Sequence, residues 1–162
     1  MGWLLPKVNW QPTDWISVAD YNRWINNLGV LQELAHQLYL VQGIDLGEHQ
    51  SYEDYPYEDM LNTIEQALDK VNKGTFNFDI GDIKVYSANN PYFDYNEINR
   101  IESASLELYT HLSIELNMCW HYAQNFNGAS IYKVPRIKQT PGTDPIAYRL
   151  MFRLGDRKGV IR

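Results

Sequence analysis

Few residues in this chain combine the types and spacings that chemistry needs. Cys119-Trp120-His121 places two metal-ligating side chains two positions apart. On a helix that spacing points them to different faces, so Cys119 reads as a small core residue and not as a ligand. His36, His49 and His111 add no ligand spacing. Asp79-Ile80-Gly81-Asp82 has carboxylates around a turn but lacks the series of oxygen ligands that calcium requires. Glu53, Asp54, Glu58 and Asp59 form the densest acidic run, which reads as a solvated loop and helix start, where acids meet the positive end of the helix dipole. The sequence contains no Gly-rich phosphate loop, no His-Glu-x-x-His and no Gly-x-Ser-x-Gly. The expectation is a protein with no catalytic residues, no cofactor and no metal, and hence not an enzyme.

Charge is distributed unevenly. Residues 1–132 carry 6 basic and 18 acidic side chains, a balance of −12, whereas residues 133–162 carry 8 basic and 2 acidic, a balance of +6. In the basic segment Tyr132, Lys133, Arg136, Arg149, Arg153 and Arg157 interleave aromatic and cationic groups with Tyr148 and Phe152, a pattern that can contact nucleic acid. The acidic remainder opposes an approach to phosphate, so protein is the expected partner.

The elements that position these residues are organised by an internal repeat. An offset of 77 residues, without gaps, aligns Lys7-Val8 with Lys84-Val85, Trp15-Ile16 with Tyr92-Phe93, Asn22-Arg23 with Asn99-Arg100, and Leu31 with Leu108. Each copy opens a helix in the same way. Ser17 and Asp94 stand as N-caps, Asp20 and Glu97 occupy the third helical position of a capping box, and Ile16/Tyr21 and Phe93/Ile98 have the spacing of a hydrophobic staple. An apolar stripe follows in the first copy at Tyr21, Trp24, Leu28, Leu31, Ala35 and Leu38. The second copy continues with Ile98, Ile101, Ser105, Leu108 and Leu112, then Leu116, Trp120 and Ala123. The Asn-Arg pairs, Asn22-Arg23 and Asn99-Arg100, sit one turn into these helices. There the planar guanidinium can tie a helix start to a loop or carboxylate of a neighbour.

The full reading is a mainly α chain with a small β component. Helix one is expected over about 17–42 with Gly43 as its C-cap, helix two from Pro56 to near Gly74, a weak hairpin over 75–86, and helix three over about 94–126. Two further strands, 131–138 and 146–154, form a C-terminal hairpin, with Pro135 placing the first at a sheet edge. The organisation expected is a helical body, residues 1–128, holding repeats at about 6–42 and 83–119, and a basic β-hairpin arm at 129–162. At 162 residues with 44% hydrophobic content the chain is large and apolar enough to fold as one soluble unit. It has no stretch long and apolar enough to span a bilayer and no signal peptide at Met1.

The repeated helix start carries a resemblance. Asp20-Tyr-Asn-Arg-Trp-Ile-Asn-Asn-Leu28, and more closely Asn96-Glu-Ile-Asn-Arg-Ile-Glu102, resembles a pattern in tail-associated structural proteins of bacteriophages that infect Gram-positive bacteria. The resemblance covers some 20 to 25 residues at each of the two places. It implies a virion structural protein of the tail or baseplate, present in the virion and in the host cytoplasm during assembly, whose partners are copies of itself and neighbouring virion proteins. A small adaptor or regulatory protein-binding module is the alternative expectation.

Overall fold

A computed structural model describes residues 2–39, 41, 43–46, 58–87 and 93–125; within α3 the side chains of 118–125 are outside that description. Three helices form a bundle: α1, Val18–Leu38; α2, Glu58–Lys73; and α3, Tyr95–Asn125. α1 packs most extensively on α3, and α2 lies against both.

The apolar periodicity explains which faces meet. On α1 the buried positions include Tyr21, Trp24, Leu28, Leu31, Ala35 and Leu38, three or four residues apart. On α3 they are Ile98, Ile101, Ser105, Leu108 and Leu112, and on α2 Leu61, Ile64, Leu68 and Val71. Ser105 is accommodated because its hydroxyl donates to the Ile101 carbonyl at 2.8 Å. The first helical residues of α1 and α3, Val18 and Tyr95, are themselves separated by the repeat offset.

The start of α1 is a reciprocal capping box. The Ser17 hydroxyl accepts from the Asp20 N–H while the Asp20 carboxylate accepts from the Ser17 N–H at 2.9 Å. The start of α3 is different. Asp94 accepts from the N–H groups of Asn96 and Glu97, but the Glu97 carboxylate turns to Arg100 and Lys84. Ile16 stays exposed, whereas Phe93 is half-buried and meets Trp24 and Tyr86 edge-on.

Two sequence expectations need correction. Helix one ends at Leu38, short of residue 42, and Tyr39, not Gly43, is its C-cap, in extended conformation. Tyr39 is fully buried, packs edge-on to Phe76 and donates its hydroxyl to Glu115 at 3.0 Å. Residues 75–86 contain no strand. The backbone groups that a hairpin would pair across strands are instead taken by asparagine side chains. Asn72 binds both the N–H and the carbonyl of Phe78, and Asn62 does the same to Tyr86. The expected hairpin over 131–154 and the whole arm lie outside the described residues.

An irregular extended segment precedes each capped helix. The first, residues 2–10, crosses α1 and α3; the second, 76–87, crosses α2 and α3. The first is held by the same device, since Asn27 on α1 pairs with both backbone groups of Leu4, and Asn99 on α3 with both of Trp10. These segments seal the bundle with aromatic rings: Trp10 lies against Trp24, and Trp3 stacks on Tyr109 at 4.0 Å.

Candidate functional site: the duplicated Asn-Arg element

The repeated Arg-bearing turn builds two related polar centres inside the bundle. In the first, Arg23 on α1 forks between Asp20, 2.7 Å away on its own first turn, and Glu102, 2.6 Å away on α3. Glu102 is almost wholly buried. Its Oε1 also accepts the indole N–H groups of Trp24 at 2.8 Å and Trp10 at 3.0 Å, and its Oε2 accepts the backbone N–H of Lys7 at 2.8 Å. Four donors surround one carboxylate, which is what a buried charge requires.

In the second centre Arg100 on α3 forks in the same way. It reaches Glu97 on its own first turn at 2.9 Å, forms an ion pair with Glu65 on α2, and donates to the Ile80 carbonyl at 3.4 Å. Glu65 is fully buried, yet only its Oε1 is engaged, by Arg100 and the Tyr86 hydroxyl; Oε2 has no hydrogen-bond partner. Each centre thus leaves one buried polar atom without a hydrogen-bond partner, Arg23 Nε in the first and Glu65 Oε2 in the second.

Asp20 in the first centre and Glu65 in the second are shifted in opposite directions. Burial pushes the Glu65 carboxyl above its ordinary range despite the opposing pull of Arg100, and burial together with the Glu65 charge pushes the Tyr86 phenol upward. Asp20 moves the other way. Partial burial would raise it, but hydrogen bonds from Ser17 and Arg23 hold its carboxyl below the usual value. Burial works against the charge on both arginines, and the paired carboxylates outweigh it.

The structure thus gathers Asp20, Arg23, Glu97, Asn99 and Arg100 into two inward-facing networks, with Ser17 and Asp94 capping the helices that carry them. Asn22 is engaged as well. Tyr132, Lys133, Arg136, Arg149, Arg153 and Arg157 lie outside the described residues. Sequence reasoning did not find Glu65, Glu102, Asn27, Asn62 or Asn72. A signal was present for two of them. Glu102 sits four residues after Ile98 and three before Ser105, and Glu65 four after Leu61 and three before Leu68, so each interrupts an apolar helical face with a charge.

The arrangement fixes helices and extended segments and presents no open nucleophile or acid–base pair. His111 packs against Phe76 and Phe78, and Asp79 accepts from the Gly81 N–H. Among the described residues no group of three or more His, Cys, Asp or Glu side chains could hold a metal ion, and no helix is long and apolar enough to cross a membrane. No protein-family model, curated protein or solved structure matches the chain.

Proposed function

We propose that the chain is a virion structural protein, a tail or baseplate component of a phage of Gram-positive bacteria that works by assembling in several copies. Its residues 1–128 act as a helical body and residues 129–162 as a basic β-hairpin arm that docks on a neighbouring copy or virion protein. The observation that carries this reading is the duplicated Asn-Arg helix start, which resembles that of phage tail proteins and whose arginine in both copies forks between a carboxylate of its own first turn and a buried glutamate of another helix. Two further features support it. The charged groups at the two helix starts, Asp20, Arg23, Glu97 and Arg100, pair within the chain, and large apolar side chains, Trp15, Leu5 and Val85, remain exposed. The opposite charges of body and arm favour contacts between copies, and strand edges on a hairpin offer backbone pairing to another chain.

Mass spectrometry of purified virions tests the location. Truncation after Gly128 tests the mechanism: helicity by circular dichroism should persist while assembly is lost, and assembly of the full chain should weaken at high salt. A truncated chain that assembles normally would remove the arm from its proposed role. A protein missing from virions that still captures a protein partner would favour the adaptor reading.

A further inference from the structure

The N-terminal extended segment lies in a groove between α1 and α3 that reads it as a peptide. Asn27 takes both backbone groups of Leu4, Asn99 takes both of Trp10, and Glu102 takes the Lys7 N–H and the Trp10 indole. Trp3 stacks flat on Tyr109. All these receptors are side chains of the helices, so any copy of the segment with tryptophans at the same spacing satisfies them equally. The connection to α1, residues 11–16, is mostly exposed, and it ends in Trp15, 92% exposed, and Ile16, 39% exposed. One turn closes it: the Asp14 N–H donates to the Gln11 carbonyl at 3.0 Å, and the Asp14 carboxylate accepts from the Gln11 N–H and from Lys7.

We propose that residues 2–10 are exchanged between two copies of this chain, each segment filling the partner copy's α1–α3 groove, with residues 11–13 as the hinge and Trp15 buried where the two hinges meet. A second copy is the occupant that fits, because it carries the same two tryptophans and the same backbone register, and the exchanged form recreates every groove contact. What changes is the hinge. The closed form needs the Gln11–Asp14 turn and leaves Trp15 in water; the exchanged form releases the turn and covers the indole. Asp14 is therefore the latch of the closed form. This adds to the multi-copy reading above a contact between copies that does not use the arm, so the chain truncated after Gly128 should keep the exchanged dimer while losing higher assembly; it does not depend on residence in a virion.

The test uses the full chain in solution. Light-scattering chromatography should show a concentration-dependent dimer. Asp14→Ala should raise the dimer fraction severalfold, deletion of Pro12 and Thr13 should make the dimer predominate, and Trp15→Glu should lower it; all these positions lie in the exposed connection. To identify the exchange itself, heavy- and light-isotope protein are refolded together, the dimer is isolated, and Lys7 is joined to Asp14 with a zero-length carbodiimide cross-linker. Exchange predicts light-to-heavy Lys7–Asp14 cross-links. A dimer yielding only same-isotope cross-links, or a chain that stays monomeric at every concentration both as Asp14→Ala and with Pro12 and Thr13 deleted, overturns it. Finding such a monomer in virions would leave the assembly reading standing, and finding an exchanged dimer outside virions would leave the exchange standing.

Discussion

The guanidinium of Arg23 on α1 lies 2.6 Å from Oε1 of Glu102 on α3, the same oxygen that receives the indole N–H groups of Trp10 and Trp24. One carboxylate oxygen thus joins two helices and the extended segment that covers them. Removing the cation strands a buried charge, so Arg23→Ala should cost about 3–5 kcal/mol in urea unfolding. Glu102→Gln, which keeps an acceptor for the indoles without the charge, should cost less. A loss for Arg23→Ala within the range of about 0.2–1 kcal/mol typical of exposed ion pairs would show that the centre is solvated.

The second centre makes a prediction about pH. Glu65 has its pKa raised in the folded state, so the native chain binds more protons there than the unfolded chain. Stability from this group is highest at low pH and falls as pH rises from the unfolded carboxyl pKa through the folded one. Glu65→Gln should remove that decline. Asp20, with a lowered pKa, contributes the opposite slope at more acidic pH, where its stabilisation is lost as pH falls. Denaturant midpoints collected across pH for the unsubstituted chain and Glu65→Gln decide the matter; an unchanged slope in Glu65→Gln would mean the carboxyl is not shifted.

Gly81 faces Arg100 at close range. Its φ is +76°, and a Cβ there would come within 2.8 Å of the Arg100 Cδ. Gly81→Ala should therefore lose about 1–3 kcal/mol from left-handed backbone strain alone, and it should displace Arg100 from Glu65. The signature is an altered pH dependence in addition to a lower melting temperature. Simple backbone strain would lower the melting temperature only.

The asparagine clips predict local opening. Asn99→Ala strands the backbone groups of Trp10 at about 1–3 kcal/mol per unsatisfied buried group. Amide exchange at Trp10 should accelerate far more than exchange in the middle of α1. Asn72→Ala should act the same way on Phe78 and leave Trp10 protected. Uniform acceleration in either variant would show that the segments and helices open as one unit.

At the helix starts, Asp94→Ala should cost about 1 kcal/mol by removing the acceptor for two N–H groups. Trp24→Ala should cost about 3–5 kcal/mol, because its ring is core and its indole N–H serves Glu102. Comparable, negligible losses would mean that the stripe does not carry the fold.

How much of this could be read in advance divides by sequence distance. The stripes on α1 and α3 are legible because helical periodicity is local: Tyr21, Trp24, Leu28, Leu31, Ala35 and Leu38 all lie on the buried face. The Ser17–Asp20 box is legible for the same reason. The partners of Arg23 and Arg100 are not, since Glu102 lies 79 residues and Glu65 35 residues away, and a lone glutamate in a helix reads as solvated until its face is checked. The hairpin expected over 75–86 is absent because an extended chain clipped by asparagines carries the same apolar alternation, at Phe76, Phe78 and Ile80, as one paired to a neighbouring strand. The end of helix one is not legible, since the chain turns extended at Tyr39, an apolar residue that continues the buried series and carries no local stop signal.

The clip between Trp10 and Asn99 spans 89 residues, and this sets an order of events during synthesis. Residues 2–10 are synthesised before α3 and have no complete groove until α3 follows them. At translation rates of about 5–20 residues per second, Trp3 and Trp10 wait on the order of 5 to 20 s beside other nascent copies on the same messenger RNA. Under the exchange proposed above, this interval is the window in which residues 2–10 of one chain meet the completed groove of another before their own exists.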